Sequence, residues 1–215
     1  MSLEKSSFLQ THRLDSLRDF EEPFALVPPA CSERKSSLCQ FVTPTTIADF
    51  MSLLFLPRRG ETIRLLDAGA GRGALLHAFL RRHGENSRID LTAYEIDENL
   101  IDSLRQTLHL LRGQSSLRSR IITTDFVDDA VLNLRDGSGQ RFTHAILNPP
   151  YHKIKNTSHY RKILRSVGIE TVNLYSAFLS LSLALLEPLG QLVAIIPRSF
   201  CNGPYYRSFR KFISS

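Results

Sequence analysis

The residues best suited to chemistry are Asn-Pro-Pro-Tyr at positions 148–151, directly after a short apolar run. Pro149 and Pro150 fix the backbone and remove two hydrogen-bond donors, so carbonyl groups in this loop can point at a ligand. The side-chain oxygen of Asn148 and the carbonyl of Pro149 can together accept both hydrogens of an amino group. The ring of Tyr151 can stack on an aromatic base. At the end of a strand, this motif indicates an amine-binding site rather than an ordinary proline-rich turn.

A second group of residues has the character of a cofactor loop. The run Asp-Ala-Gly-Ala-Gly-Arg-Gly at 67–73 separates an apolar run from a segment with helical spacing. Gly69 and Gly71 permit a tight turn and a close approach of the backbone to a ligand. The spacing is GxGxG and differs from the GxGxxG of dinucleotide-binding proteins. The alternative is a tight strand-to-helix turn with no ligand.

Two further acidic positions follow apolar runs. Glu95 ends the second run and can accept hydrogen bonds from both ribose hydroxyls of a nucleoside. Asp97 is a rival for that role, although it also suits the cap of the next helix. Asp125 can accept from the amino group of an adenine, and Phe126 can pack on its ring. The alternative for Asp125 is a solvated side chain in a turn.

Charge is unevenly distributed along the chain. The 215 residues carry a net charge of +6, but residues 137–215 contain ten of the 27 basic residues and two of the 21 acidic ones. This asymmetry favours a polyanionic partner. A stretch without acidic residues follows Tyr151, and we interpret it as a substrate lid that contacts backbone phosphates. Its basic residues are Lys153, Lys155, Arg161, Lys162 and Arg165. The alternative is a solvated basic loop.

The elements that must position these residues alternate along the chain. Strands are predicted at residues 63–67, 89–95, 120–123, 143–147 and 191–196. A helix is expected to open with Thr43 as its N-cap and Pro44 as its first residue. Helical spacing recurs at residues 75–79, 100–111, 174–186 and 205–213. This alternation predicts an α/β fold in which helices cover both faces of a parallel sheet, with ligands at the carboxyl ends of the strands.

With its motifs in this order, the chain resembles the adenine-N6 DNA methyltransferases of restriction-modification systems, of the Type II and Type IIG kind and in the gamma arrangement. The resemblance covers about residues 35–213. It includes Lys-x-x-x-x-Gln-Phe-x-Thr-Pro at 35–44 and later motifs at 171–175 and 190–200. It implies a class I S-adenosylmethionine-dependent methyltransferase fold, which is Rossmann-like, with the last two strands of the sheet missing.

The resemblance also implies roles for individual residues. S-adenosylmethionine would be held at its methionine end by Gln40, Phe41, Thr43 and Pro44, beside Asp67, Gly69 and Gly71. Its ribose would be held by Glu95, and its adenine by Asp125 and Phe126. The target adenine, flipped out of double-stranded DNA, would be held by the loop of Asn148, Pro149, Pro150 and Tyr151.

The expected organisation is a loosely ordered lead-in at 1–38 and a methyltransferase catalytic domain at 39–215. A target-recognition domain is expected to be absent, so that a recognition subunit or a C-terminal domain is the expected partner. Cys31, Cys39 and Cys201 lack metal-site spacing, so no metal is expected. Apolar runs are too short for a membrane span and no signal peptide is evident, so a cytoplasmic protein is expected. Three alternatives stay open: an RNA adenine methyltransferase, a protein glutamine methyltransferase, and a non-catalytic module of a larger complex.

Overall fold

The structure, a computed structural model, describes residues 43–57, 61–85, 87–112, 116–137 and 139–214. The predictions for the lead-in at 1–38 and for Gln40 and Phe41 therefore lie outside the described residues. The same holds for Cys31 and Cys39.

The described residues form one parallel sheet of five strands. The strands are β1 (Ile63–Ala68), β2 (Arg88–Tyr94), β3 (Ser116–Ile122), β4 (Phe142–Leu147) and β5 (Leu186–Ala194). Their spatial order is β3-β2-β1-β4-β5, and every neighbouring pair runs parallel. The strand order runs outward from β1 to β3 on one side and continues with β4 and β5 on the other side of β1. In parallel sheets of this kind, ligands bind at the carboxyl ends of the strands where the order switches sides. The predicted parallel sheet is thus confirmed.

Seven α-helices lie in the described residues. They are α1 (Thr45–Leu53), α2 (Ala74–His83), α3 (Glu98–Leu111), α4 (Phe126–Asp136), α5 (His159–Ser166), α6 (Leu174–Leu185) and α7 (Arg207–Ile213). Short 3-10 turns at Arg198–Phe200 and Pro204–Tyr206 lead into α7.

Alternation along each strand sends apolar side chains to two separate cores. On β1, Leu65 packs with the helices α1, α2 and α3, whereas Leu66 packs with α4, α6 and α7. On β4, Ile146 faces the first core and Leu147 the second. A strand that is buried on both faces of the sheet needs apolar side chains on both, so its sequence is a continuous apolar run. Helices therefore cover both faces of the sheet, as predicted.

Two helices were not expected from the sequence. Helix α4 presents Val127, Ala130 and Val131 to the core, and α5 presents Leu164. Both have apolar residues at helical spacing, so the signal was present but short. In α5 this spacing is combined with many polar residues, so the sequence does not predict a helix there.

Three boundaries differ from expectation. Strand β3 begins at Ser116, four residues before its predicted start. Helix α1 begins at Thr45, so Pro44 rather than Thr43 is in the cap position, and no side chain caps the helix. Strand β5 begins at Leu186, five residues before its predicted start, because Leu186 already pairs with Phe142 of β4. An irregular stretch then separates this pair from the regular pairing, which resumes at Gln191. Leu189, which has a positive φ of 65°, lies in that stretch and is exposed.

Candidate functional site

The site lies at the carboxyl edge of the sheet, where β1 and β4 are paired neighbours. The glycine-rich loop follows β1, and the Asn-Pro-Pro-Tyr loop follows β4. Glu95 directly follows β2, on the other side of β1. The strand order thus brings together the predicted cofactor loop, the predicted ribose-binding acid and the predicted amine-binding loop.

Asp67 is the least satisfied polar group at this edge. Its side chain has 0% exposure, and neither carboxylate oxygen has a hydrogen-bond partner in the structure. Burial, followed by repulsion from Glu95, raises the pKa of Asp67 well above its ordinary value. A buried carboxylate without a partner is costly unless a cation or a hydrogen-bond donor reaches it. This residue therefore fits a ligand that carries a positive charge.

The glycine loop is held by Glu95. Gly69, Gly71 and Gly73 all have positive φ angles, of 84°, 58° and 86°, which other residues rarely adopt. Glu95 Oε2 accepts from the Gly71 amide and Oε1 from the Asp97 amide, both at 2.8 Å. Each carboxylate oxygen has a second lone pair, so Glu95 can still accept from a ribose.

Asp97 belongs to helix α3 rather than to the ligand site. It occupies the N-cap position, and its Oδ1 accepts from the amide of Asn99 at 3.0 Å. Of the two interpretations that the sequence left open for Asp97, the structure shows the helix cap.

The Asn-Pro-Pro-Tyr loop is held by hydrogen bonds at both of its ends. Asn148 donates from Nδ2 to Thr43 Oγ1 at 3.0 Å, and Asn148 Oδ1 accepts from the Tyr151 hydroxyl at 3.0 Å. The Tyr151 hydroxyl also lies 3.2 Å from the carbonyl oxygen of Ile195. Burial raises the pKa of Tyr151, so its hydroxyl stays protonated at neutral pH. The Tyr151 ring meets that of Tyr175 edge-on, with centroids 6.1 Å apart.

The chain after Tyr151 is tied to the start of helix α6. The Ile154 amide donates to the Val172 carbonyl and the Leu174 amide to the His152 carbonyl, both at 2.8 Å. This short antiparallel pairing anchors the segment that follows the loop. A solvated basic loop would not have such backbone hydrogen bonds.

The predicted adenine-binding pair lies in a different setting from the one expected. Asp125 caps helix α4, with Oδ1 accepting from two backbone amides, and its Oδ2 accepts from the Tyr160 hydroxyl at 2.6 Å. Phe126 is 2% exposed and packs between Tyr94 and Phe178, with ring centroids 5.0 Å from each. The structure therefore places the Phe126 ring in the core, between two other aromatic rings. The role of Tyr160 was not anticipated, because only the fold brings α5 beside Asp125.

The five basic residues expected to contact phosphates divide into two groups. Arg161 is 8% exposed, its Nη1 donates to the Thr171 carbonyl, and its Nη2 lies 2.8 Å from Glu170 Oε1. Arg165 also pairs with Glu170 and holds the pKa of that carboxyl below its ordinary value. Arg161 was expected to contact backbone phosphates, but it is buried and bonded within the protein, so this expectation is wrong for Arg161. Lys153, Lys155 and Lys162 are exposed.

Metal-binding clusters and membrane-spanning helices are both absent from the described residues. No group of three or more His, Cys, Asp and Glu side chains among them is arranged to hold a metal ion. No helix in the same ranges combines the length and apolarity that crossing a bilayer requires.

Solved structures with similar folds show the fold class of the chain. The type IIG restriction endonuclease BpuSI superposes with a TM-score of 0.62 at 21% identity, over 80% of this chain and 22% of that one. The methyltransferase subunit of a type I restriction-modification system from Streptococcus thermophilus gives a TM-score of 0.58 at 19% identity, over 80% of this chain and 38% of that one. The fold is that of the class I S-adenosylmethionine-dependent methyltransferases.

Sequence comparisons then identify the family. The profile of the Eco57I restriction-modification methylases matches residues 45–215, and the chain belongs to this family. It is 50% identical over 189 residues to the Type II methyltransferase M.BsuBI of Bacillus subtilis and 41% identical over 185 residues to M.PstI of Providencia stuartii. These alignments cover 84% and 82% of this chain, but 38% and 36% of the two relatives. The chain thus spans well under half the length of these relatives.

Proposed function

We propose that this chain carries the catalytic centre of a site-specific DNA methyltransferase that transfers a methyl group from S-adenosylmethionine to the exocyclic amino group of adenine. One observation carries the proposal: the unpartnered carboxylate of Asp67 and the Asn-Pro-Pro-Tyr loop lie at the ends of paired strands. A site for a cationic ligand thus adjoins a site for an amine. Membership of the Eco57I restriction-modification methylase family supports the methyl-transfer part of this proposal.

The residues present fit this cofactor. The buried carboxylate of Asp67 suits the cofactor's ammonium group, and the glycine loop at 69–73 lets backbone approach it closely. Glu95, at the end of β2, is assigned to the ribose hydroxyls. The remaining lone-pair capacity of Asp125 Oδ2 is assigned to the adenine amino group. S-adenosylmethionine, when bound, supplies an electrophilic methyl group on a sulfonium ion.

The task of the loop after β4 is to make an amino nitrogen nucleophilic. The lone pair of the adenine amino nitrogen is delocalised into the ring, which makes it a poor nucleophile. Asn148 Oδ1 and the Pro149 carbonyl would accept its two hydrogens and draw the nitrogen toward tetrahedral geometry, which frees the lone pair for attack. The contribution is alignment and electrostatic preorganisation, with no covalent intermediate.

Access to the target atom requires that the adenine leaves the base stack. We assign the Tyr151 ring to stacking on the flipped base, since its hydroxyl is hydrogen-bonded to Asn148, which is assigned to the target amine. Exposed Lys153, Lys155 and Lys162 follow this loop and would contact backbone phosphates, which position DNA without reading its sequence. We therefore assign sequence reading to a further domain or subunit.

The test replaces Asn148 by Ala and measures methyl transfer and cofactor binding separately. Asn148→Ala should abolish transfer while leaving the calorimetric affinity for S-adenosylmethionine unchanged, because Asn148 is assigned to the target amine alone. Asn156→Ala is the matched control, since Asn156 is exposed in the segment that follows the loop. Mass spectrometry of the methylated nucleosides should show N6-methyladenine.

Two results would overturn the assignment. Transfer by Asn148→Ala within about tenfold of wild type, or about 1.4 kcal/mol of barrier, would make Asn148 a turn residue. Methylated cytosine, RNA or protein in place of N6-methyladenine in DNA would reject the proposed substrate.

A further inference from the structure

Thr43 connects the start of helix α1 to the loop that follows β4. Its side chain is buried, at 9% exposure, and its Oγ1 lies 3.0 Å from Nδ2 of Asn148. We propose that Thr43 is a positioning residue that orients the Asn148 carboxamide, so that Oδ1 rather than Nδ2 faces the target amine. This inference rests on the function proposed above.

The carboxamide of Asn148 needs such orientation because its two ends are alike in size and opposite in chemistry. The oxygen accepts hydrogen bonds, whereas the NH₂ group only donates them. Rotation about the terminal torsion of Asn is broad, with two favourable orientations about 180° apart. If the amide turned over, its N–H groups would face the hydrogens of the target amine and repel them. Catalysis by Asn148 therefore requires a contact that distinguishes the two ends.

Thr43 and Tyr151 supply that distinction from opposite sides. The Tyr151 hydroxyl donates to Asn148 Oδ1, which leaves the NH₂ group to face Thr43 Oγ1 as a donor. An amide oxygen has two lone pairs, so Oδ1 can accept from Tyr151 and from the target amine together. Donation to Thr43 also polarises the carboxamide and makes Oδ1 a stronger acceptor.

The position of Thr43 is fixed by its neighbour in the chain. Pro44 restricts the backbone, and its carbonyl accepts from the amides of Ile47 and Ala48 at 3.0 Å, which starts helix α1. No side-chain hydrogen bond caps this helix, so the bond to Asn148 does not compete with a capping role for Thr43. A threonine ahead of a helix is an obvious cap candidate from sequence, but its hydroxyl here contacts a loop from a distant part of the chain.

The test compares Thr43→Val and Thr43→Ser in the protein expressed from its complete reading frame, together with any subunit that methylation requires. Valine keeps the shape of threonine and removes the hydroxyl, whereas serine keeps the hydroxyl. Thr43→Val should lower kcat by about tenfold or more, and by a larger factor than any weakening of the Kd for S-adenosylmethionine. Thr43→Ser should restore most of kcat. Thr46→Val, at an exposed position of α1, is the matched control.

The outcomes separate this inference from the proposed function. A kcat of Thr43→Val within about threefold of wild type, while Asn148→Ala is inactive, would reject the positioning role alone. A weaker Kd for the cofactor with kcat intact would also reject it, because Thr43 would then act on the cofactor. Full activity of Asn148→Ala would reject the proposed function itself. Thr43→Val could lower kcat only because it destabilises the protein, which a lower melting temperature would reveal. In that case Thr43→Ser decides: if it also loses kcat although it keeps the hydroxyl, the effect is structural and the inference is rejected.

Discussion

The buried side chain of Asp67 is assigned to a cationic ligand, and this assignment predicts how its substitution changes both the stability of the protein and its affinity for the cofactor. In the structure its carboxylate has no exposure and no hydrogen-bond partner, and Glu95 adds repulsion. The substitution Asp67→Asn keeps the shape of the side chain and removes the charge. We expect the variant to be more stable than the wild type without cofactor and to bind S-adenosylmethionine more weakly.

The magnitudes follow from the cost of an unpaired buried group. Leaving such a group unsatisfied costs about 1–3 kcal/mol, and removing its charge recovers part of this. For a chain of this size, 1 kcal/mol corresponds to about 2–4 °C in melting temperature. Loss of a charge-assisted contact to the cofactor ammonium costs about 1.5–3 kcal/mol, which weakens Kd by about 10- to 160-fold.

The stability difference should depend on pH in a defined direction. Below the ordinary Asp pKa of 3.8, residue 67 is protonated in the folded and unfolded wild type alike, so the advantage of Asp67→Asn is small. As the pH rises through 3.8, the unfolded wild type ionises while the folded state resists ionisation, because its pKa is raised. The advantage of the variant therefore grows with pH until the raised folded pKa is passed, and stays constant above it.

The assay is thermal unfolding of both proteins across pH, with and without S-adenosylhomocysteine, combined with calorimetric titration of the cofactor. Asp136→Asn, at an exposed position of α4, is the control and should change stability by less than about 0.5 kcal/mol. A lower melting temperature for Asp67→Asn together with unchanged cofactor affinity would refute the reasoning, since Asp67 would then be a structural residue with partners of its own.

The basic segment after Tyr151 gives two further predictions. Arg161→Met should lower the melting temperature, because the Thr171 carbonyl loses its hydrogen-bond donor at a cost of about 1–3 kcal/mol. The salt dependence of DNA binding, measured by fluorescence anisotropy, should stay unchanged. A flattened salt slope would contradict the burial of Arg161. The triple variant Lys153→Gln, Lys155→Gln and Lys162→Gln should keep its melting temperature and bind all DNA sequences more weakly to the same extent. The slope of log K against log salt should flatten by about 0.9 for each phosphate that is no longer neutralised. An unaltered slope would show that DNA does not contact these lysines.

Strands and glycine turns were readable in the sequence because both are local properties. Continuous apolar runs mark strands that are buried on both faces, and glycines mark the turn after β1. Helices α4 and α5 were missed although Val127, Ala130 and Val131 have helical spacing, because polar residues lie between the apolar ones in both segments. The irregular start of β5 could not be foreseen, since it depends on pairing with β4.

The candidate residues themselves were also readable from local patterns, because ligand-binding side chains follow the ends of parallel strands. By itself the sequence determined the fold class, the positions of Asp67, Glu95 and Asn148 at the carboxyl ends of their strands, and the basic character of the second half of the chain. These inferences need only the chemistry of neighbouring residues and the rule that parallel strands end at one edge.

Only the tertiary structure decided which of these residues are available to a ligand. Arg161 and Lys162 are adjacent in sequence, yet one is buried against Thr171 and the other is exposed. Thr43 suits a helix cap by its position but bonds to Asn148, and Asp125 shares its Oδ2 with the Tyr160 hydroxyl. Each of these differences arises from a contact between segments that are far apart in the chain, and burial and pairing across such distances leave no signature in local residue order.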